Sequence, residues 1–174
     1  MTRRTLLRSG LGAGLAALLP ACRREPTPSR PAAPAFEPLQ LSVEEWRRIL
    51  TPEPFTVLRE RGTERAFSSP LERQKSDGTY VCAGCFLPLF GAAAKFESGT
   101  GWPSFFAPIA ADRVATAWDF TLVFPRTEYH CARCGGHQGH VFDDGPPPTG
   151  QRWCNNGVAL RFVPDGTALP PLRT

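Results

Sequence analysis

Residues 131–142 read CARCGGHQGHVF, and the spacing of the two cysteines is repeated upstream in CAGC at residues 82–85. Turn-forming residues follow each pair, and four thiolates from two such pairs form the tetrahedral sulfur set that Zn²⁺ prefers. Because a closed set of four sulfurs leaves no position for water, the predicted zinc is structural and contributes to folding. The predicted ligands are Cys82, Cys85, Cys131 and Cys134.

Two other interpretations of the cysteine pairs stay open. Two disulfides would be natural in an exported chain, and a redox-active pair like that of thioredoxin would sit at the start of a helix after a buried strand. Structural zinc is favoured because the export signal described below resembles the twin-arginine type. That route passes folded proteins, so zinc can bind while the thiols are still reduced.

Apolar residues alternate with polar ones after Gly78, which predicts a mostly antiparallel β body. The clearest strand is predicted over residues 114–124. One face of that strand would carry Val114, Thr116, Trp118, Phe120, Leu122 and Phe124. Shorter strands are predicted near residues 80–81, 87–90, 129–131 and 158–162, separated by Gly and Pro turns.

Two short helices are predicted before the strands. Ser42 and Glu45 form a capping-box pattern at the start of the first, and apolar residues at positions 46, 49 and 50 share one helical face. Pro52 ends this helix, and a second helix is predicted from about residue 55 to residue 61, before Gly62. The predicted fold class is therefore mainly β with short N-terminal helices and a structural zinc site.

Length and charge limit the classes of function. The chain has 174 residues, of which 41% are hydrophobic and 21% charged, and this composition is typical of one globular domain with a short appendage. The formal net charge of +4 comes largely from Arg3, Arg4 and Arg8, because the first 22 residues carry no acidic side chain. The remaining chain is nearly neutral, which argues against a nucleic-acid partner.

The N-terminal residues are interpreted as an export signal. Residues 1–22 combine a charged start, an apolar run too short to span a bilayer, and small residues near the end. The pair Arg3-Arg4 resembles a twin-arginine signal, and Leu19-Pro20-Ala21-Cys22 resembles a lipobox whose cysteine becomes lipidated and holds the protein on a membrane. The alternative is an ordinary signal peptide in which Cys22 is discarded or idle.

Four regions are then predicted. Residues 1–22 form the signal peptide with its lipobox, residues 23–40 a proline-rich tether, residues 41–168 the folded domain and residues 169–174 a C-terminal tail. These regions place the protein outside the cytoplasm, in the cell envelope or periplasm, with Cys22 as the predicted membrane anchor.

Cys154 is the cysteine left over within the domain. A lone cysteine is by default a small buried hydrophobe, but here Arg152 and Asn156 lie two residues to either side and can share its strand face. His137 and His140 follow the second cysteine pair. Two imidazoles and a free thiol are the components of nucleophilic catalysis with proton transfer, and Trp102, in a glycine-rich loop, is typical of a pocket aromatic.

Several segments together resemble the methionine-R-sulfoxide reductase B family, the peptide-methionine (R)-S-oxide reductases. The similarity runs from about Leu41 to Val163 in the family's order and spacing. The segments are Ser98–Phe105, the two cysteine pairs, Gly136–Phe142, Asp144–Pro146, Pro148–Gly150 and Arg152–Asn156. The resemblance implies two antiparallel sheets splayed like a tent, a structural zinc distant from the active site, and reduction of the R epimer of methionine sulfoxide in oxidised proteins.

The resemblance also implies a role for each matching residue. Cys154 would be the nucleophile, which attacks the sulfoxide sulfur and becomes a sulfenic acid. His137 and His140 would help to protonate the sulfoxide oxygen, and Asn156 would be the polar amide of the site. Trp102 and Phe142 would receive the methyl group of the substrate, while Arg152 and Asp144 would form the charged pair around the nucleophile.

One position departs from the family pattern. Many members carry a resolving cysteine in the glycine-tryptophan loop where this chain has Thr100. The hypothesis is therefore that the Cys154 sulfenic acid is reduced directly by an external thiol, such as a thioredoxin-like protein. The protein is expected to act as a monomer. A non-catalytic alternative is a zinc-bearing binding module, in which Trp102, Trp153 and Phe142 would form an aromatic cage.

Overall fold

The computed structural model describes residues 36–174, and within this range the protein consists of two antiparallel sheets preceded by two helices. The elements are α1 (Val43–Ile49), α2 (Pro52–Glu60), β1 (Gly78–Cys82), β2 (Pro88–Gly91), β3 (Lys95–Phe96), β4 (Ser104–Phe105), β5 (Val114–Asp119), β6 (Arg126–Cys131), β7 (His137–Phe142), β8 (Arg152–Asn155) and β9 (Leu160–Pro164). The small sheet has the order β2-β1-β9 and the large sheet has the order β3-β4-β8-β7-β6-β5. The predicted fold class of two antiparallel sheets with short helices is confirmed.

The predicted capping box forms at the start of α1. The Ser42 amide donates to Glu45 Oε2 at 2.7 Å, and the Glu45 amide donates to Ser42 Oγ at 3.2 Å. The second helix begins three residues earlier than predicted, with Thr51 before it and Pro52 in its first turn. Proline is favourable there because the first amides of a helix have no intrahelical acceptor. Helix α2 ends at Glu60, and the backbone of its C-cap residue Arg61 is left-handed.

Aromatic side chains from both sheets form the centre of the core. Phe90 of the small sheet stacks on Phe105 of the large sheet with ring centroids 4.3 Å apart, and Tyr80 meets Phe105 edge to face at 4.9 Å. Tyr129 packs against Trp153 in the same way at 5.0 Å. The core is filled without methionine, because the only methionine of the chain is Met1. Contacts between aromatic rings thus hold the two sheets together.

The predicted strand over residues 114–124 is wrong in its second half. Strand β5 ends at Asp119, and the following residues form an exposed loop in which Phe120 is 71% and Phe124 81% accessible to solvent. The physical reason is a side-chain turn: Asp119 Oδ1 accepts hydrogen bonds from the amide and the hydroxyl of Thr121, at 2.9 Å and 2.6 Å. Asp119 is the buried residue of β5, on the face opposite to that of Val114, Thr116 and Trp118.

The packed body extends beyond the predicted domain at both ends. Phe36 is buried in the core, and the amide of Leu39 donates to the carbonyl of Arg133 at 2.8 Å, so residues 36–40 of the predicted tether lie against the sheets. In the predicted tail, Arg173 Nε donates to the carbonyl of Gly84 at 2.7 Å.

The predicted signal peptide, the lipobox with Cys22 and the tether up to residue 35 lie outside the described residues. Between residues 36 and 174, the structure shows no helix with the length and apolar character needed to traverse a bilayer.

Candidate active site

Cys154 lies in β8 near the middle of the large sheet. Its register partners are His140 on β7 and Ser104 on β4, so one strand on each side presents a polar residue to the thiol. Cys154 is only half-buried, whereas its strand neighbours are buried. An open pocket with a volume of about 110 Å³ lies over the thiol. Its lining residues are Thr63, Trp102, Arg126, Gly139, His140, Phe142, Cys154, Asn155 and Asn156.

Each of the two histidines is held by a carboxylate. His137 Nδ1 lies 2.7 Å from Glu128 Oε1, and His140 Nε2 lies 2.7 Å from Asp119 Oδ2. A carboxylate can only accept, so these nitrogens carry the protons and the other nitrogen of each neutral ring keeps its lone pair. The imidazole rings face each other edge to face, 5.6 Å between centroids. His140 lines the pocket, and His137 lies behind it.

Both histidines are neutral at pH 7. Burial lowers the pKa of His137 to about 4, helped by the neighbouring His140 and Arg61. Burial also lowers the pKa of His140, although its hydrogen bond to Asp119 acts in the opposite direction. The hydrogen bonds from Thr121, together with the contact to His140, hold the pKa of Asp119 far below its ordinary value. Asp119 therefore stays ionised and continues to accept from His140.

The surroundings of Cys154 raise the pKa of its thiol. Burial is the dominant cause, and it outweighs the opposing effects of the Arg152 charge and of hydrogen bonds from Thr100, Arg152 and Ser104. The positive charge of Arg152 favours the thiolate form of Cys154 and lowers the pKa of the thiol. The net result is nevertheless a thiol that keeps its proton at neutral pH.

Arg152 and Asp144 form the predicted charged pair. Arg152 Nε and Nη2 donate to the two carboxylate oxygens of Asp144 at 2.7 Å and 2.8 Å. The guanidinium also lies over the Phe142 ring, 4.2 Å from its centroid. Both charged residues line a hollow shared with Thr100 and lie outside the pocket over the thiol. Arg152 thus links the aromatic wall of the pocket to the nucleophile.

Asn156 lies in the pocket wall, but its side-chain amide forms hydrogen bonds to backbone groups of the fold. Its Oδ1 accepts from the amide of Glu64 at 3.0 Å, and its Nδ2 donates to the carbonyl of Gln138 at 2.9 Å. The carbonyl of Glu64 in turn accepts from the Trp102 indole at 3.2 Å. One backbone unit at Glu64 therefore positions both Asn156 and Trp102.

The four paired cysteines form a compact buried cluster at the other end of β7. All four Sγ atoms lie within 4.8 Å of one another, with 3.7 Å between Cys82 and Cys134 and 3.5 Å between Cys85 and Cys131. Tetrahedral zinc with bonds of about 2.3 Å requires sulfur separations of about 3.8 Å, so the cluster fits this metal. The cysteines of the described range are all free, which excludes two disulfides there.

A connection runs from the cysteine cluster to the active site through Gln138. Its side-chain Nε2 donates to Cys82 Sγ at 3.5 Å, while its backbone carbonyl accepts from the amide and the side chain of Asn156 at 2.8 Å and 2.9 Å. Gln138 is fully buried, so this residue of β7 joins both sites through the interior.

A family model described as the SelR domain matches residues 50–164, which include the cysteine cluster and every residue of the pocket. The chain belongs to the SelR domain family. The peptide methionine sulfoxide reductase MsrB of Methanosarcina barkeri is 52% identical over 128 residues, which are 74% of this chain and 90% of the relative. Proteins of the same name from Methanosarcina mazei and Pseudomonas fluorescens are 52% and 51% identical over 72% and 74% of this chain, and 89% and 99% of the relatives.

The SelR domain brings five of the eight predicted catalytic and substrate-binding residues into one pocket. These are Cys154, His140, Asn156, Trp102 and Phe142, whereas His137, Arg152 and Asp144 surround it. Trp153 does not fit the aromatic cage of the alternative hypothesis, because it is 7% exposed and packs in the core against Tyr129.

Sequence reasoning missed the acidic residues of this SelR domain. Asp119, Glu128 and Glu64 are all buried. The carboxylates of Asp119 and Glu128 hold His140 and His137, while the backbone amide of Glu64 holds Asn156. Single carboxylates spread along the chain give no local signal. Glu128 lies in β6, which pairs with the histidine strand β7, and Asp119 lies in β5 on the far side of β6, so their positions near the histidines arise only from the sheet.

Proposed function

We propose that this protein reduces methionine-R-sulfoxide in proteins to methionine, using the thiol of Cys154 and an external thiol reductant. The observation that carries the proposal is the position of Cys154: a half-buried free thiol on the floor of a pocket whose walls combine a histidine with Trp102 and Phe142. A sulfoxide needs a nucleophilic thiol, a proton for its oxygen and an apolar surface for its methyl group. Membership of the SelR family supports the same reaction.

The first step is oxygen transfer from the substrate to Cys154. The Cys154 sulfur forms a bond to the sulfoxide sulfur while the sulfoxide oxygen takes up a proton. The hydroxyl group then transfers to the Cys154 sulfur, the sulfur–oxygen bond of the substrate and the transient sulfur–sulfur bond break, and methionine leaves as a neutral thioether. The oxygen remains on Cys154 as a sulfenic acid. One thiol and one sulfoxide give one sulfenic acid and one thioether, so no proton is gained or lost overall.

The thiol proton is moved within the pocket. Because Cys154 keeps its proton and His140 is neutral, the free Nδ1 of His140 accepts the proton from the thiol and returns it to the sulfoxide oxygen. Asp119 stabilises the transient imidazolium, and Glu128 supports His137 behind it. In this scheme His140 transfers the proton of the Cys154 thiol to the sulfoxide oxygen. Neither histidine needs to be protonated before the reaction begins.

An external thiol completes the cycle. It attacks the sulfenic sulfur, water leaves, and a second thiol releases Cys154 from the mixed disulfide. Thr100, at the position where many family members carry a resolving cysteine, has a hydroxyl that cannot form a disulfide. The other cysteines of the described range all belong to the cluster at the far end of β7.

The cysteine cluster is proposed to hold structural zinc. Cys82 is the last residue of β1 in the small sheet and Cys85 follows it, whereas Cys131 ends β6 of the large sheet and Cys134 lies in the turn before β7. Bound zinc supplies a fixed link between the two sheets and no chemistry at the pocket.

Export and lipid anchoring at Cys22 are part of the proposal and are supported by sequence alone. The twin-arginine pattern, the lipobox and the proline-rich residues 23–35 would place a monomeric domain at a membrane face in the envelope or periplasm, within reach of oxidised proteins. The thioredoxin-like or other thiol reductant would then act in that compartment.

Turnover of separated epimers tests the function. The full-length protein, supplied with dithiothreitol, is expected to reduce peptides that contain methionine-R-sulfoxide and to leave the S epimer unchanged. The Cys154→Ser variant should be inactive with normal zinc content. If zinc-loaded wild-type protein reduced neither epimer, the non-catalytic binding module would replace the enzyme. Activity retained by Cys154→Ser would instead contradict the assignment of Cys154 as the nucleophile.

A further inference from the structure

The loop after β5 exposes an unusual number of large apolar side chains. We use the name 118–124 segment for Trp118, at the end of the strand, and the loop residues that follow it. The exposed fractions are 66% for Trp118, 71% for Phe120, 58% for Leu122, 91% for Val123 and 81% for Phe124. Apolar side chains exposed in series are uncommon on soluble domains and mark surfaces that bind another molecule.

The 118–124 segment is attached to the wall of the pocket. Asp119, within the segment, accepts from His140 and from Arg126, each at 2.7 Å, and both of these residues line the pocket over Cys154. The two ends of the loop are therefore fixed by the same carboxylate that orients the histidine. The loop therefore begins and ends beside the pocket, and its apolar side chains are exposed to solvent.

The chemistry of the proposed substrate indicates what would cover this surface. A methionine sulfoxide in a polypeptide can place only its side chain in the pocket, so the residues on either side must lie over the rim. Methionine occurs mostly among other apolar residues, and its oxidation disrupts cores and exposes those neighbours. The segments that need repair are thus apolar and partly unfolded.

The charge of the segment favours a polypeptide over a lipid surface. Residues 118–125 contain no Lys or Arg, whereas attraction to anionic membranes depends on basic side chains close to the surface. Resting on the proposed function, we propose that the 118–124 segment binds the apolar residues that flank the oxidised methionine. The reductase would thereby favour methionine sulfoxide in exposed core segments over the same group in a polar sequence.

Peptide binding tests this proposal independently of turnover. Two labelled peptides with a central methionine-R-sulfoxide, one with Leu and Val on both sides and one with Ser and Gly, are titrated against full-length Cys154→Ser protein by fluorescence anisotropy. The apolar peptide is expected to bind about tenfold more tightly, because a few buried anchors dominate such interfaces. Adding Phe120→Ser and Phe124→Ser should reduce this preference to about threefold or less. Leu169→Ser, at an exposed leucine outside the segment, should retain it.

The ratio of the two affinities does not change if part of the protein in a sample is inactive. Circular dichroism and measurement of the zinc content check that each variant is folded. Equal affinity for both peptides, or a preference unchanged by the double substitution, overturns the proposal. Two further results would overturn it, each with an unchanged peptide preference. In the first, the substitutions abolish binding of the protein to phosphatidylcholine vesicles. In the second, they abolish self-association of the protein measured by sedimentation. Failure of the proposed function has a different signature, namely no reduction of a small blocked methionine-R-sulfoxide by wild-type protein.

Discussion

At the scale of single residues, the reactivity of Cys154 depends on a balance between burial and one cation. Burial raises the pKa of the thiol, and the adjacent Arg152 guanidinium partly offsets this effect. Asp144 holds that guanidinium in a bidentate pair. In the proposed mechanism, the free protein would therefore hold its nucleophile as the thiol, which would also supply the proton that the sulfoxide oxygen requires.

This balance predicts the pH dependence of Cys154 alkylation. Iodoacetamide reacts with thiolates, so the modification rate should rise with pH to a midpoint above the ordinary thiol value. Arg152→Ala removes the cation that favours the thiolate, raises the pKa further and should slow the reaction at pH 8 by about threefold or more, equivalent to half a pKa unit. Peptide mapping by mass spectrometry separates Cys154 from the other cysteines. Arg161→Ala, at an exposed arginine on β9, should leave the rate unchanged. A midpoint below that of a model thiol would contradict the assignment.

The acidic partners of the histidines show the limit of sequence reasoning at this scale. Cys154, His137 and His140 could be predicted because thiols and imidazoles are scarce in this chain and lie in distinctive glycine-rich stretches. Asp119 and Glu128 could not, because their roles arise only when β5, β6 and β7 are placed side by side. A carboxylate in an alternating strand is by default a solvent-facing residue, and the burial of these two depends entirely on the sheet.

At the scale of elements, the pairing of β7 with β8 positions the site. Gly139 faces Asn155 in this register, and a Cβ atom at Gly139 would come 1.9 Å from the carbonyl oxygen of Cys154. The two strands can approach this closely only because the residue has no side chain. The nucleophile strand and the histidine strand are therefore held together at a glycine that also lines the pocket.

Gly139→Ala should separate these strands and impair both stability and catalysis. We expect the free energy of unfolding to fall by about 1–3 kcal/mol, which is typical of overpacking. We also expect kcat to fall by a larger factor than the zinc content of the protein. Urea denaturation and turnover of the R-sulfoxide peptide provide the measurements. Gly91→Ala is the matched control, since nothing lies within 4 Å of the position that its methyl group would take and its φ of −96° suits alanine. Wild-type activity in Gly139→Ala would disprove the role of the close pairing.

The elements themselves were predicted unevenly. The capping box of α1 depends only on neighbouring residues and was correct to the atom pair. The strand predicted from Val114 was too long. An alternating pattern contains no information about the hydrogen bonds from Thr121 to the Asp119 side chain, and these bonds turn the chain. The apolar residues beyond that turn continue the alternating pattern but face solvent, and only the structure distinguishes a core strand from a surface loop.

At the scale of the whole molecule, the cysteine cluster and the aromatic core both connect the two sheets. The cluster joins the end of β1 to the turn between β6 and β7, while Gln138 continues the connection to Asn156. The aligned cysteine pairs made the cluster predictable from sequence. The connection through Gln138 could not be predicted from sequence, because the role of a buried glutamine depends on which atoms the fold places within hydrogen-bonding distance of it.

Cys82→Ser should therefore remove the metal and unfold the protein. Structural zinc contributes about 10 kcal/mol in zinc-finger peptides, which is comparable with the entire stability of a typical domain. Metal analysis and circular dichroism are expected to show zinc loss together with loss of β structure. Cys154→Ser is the control and should keep both. A Cys82→Ser protein that melts at the wild-type temperature would refute the structural role.

The core described above contains no methionine, and this matters for an enzyme that would work where methionine is being oxidised. Methionine sulfoxide in a core disrupts its packing. Here Phe90, Phe105 and Tyr129 occupy the positions where such damage would be most harmful. No core residue of this protein can become its own substrate. An oxidant that converts the methionines of other proteins to sulfoxides therefore cannot damage the core of this protein in the same way. The protein does not depend on a second copy of itself to repair its core.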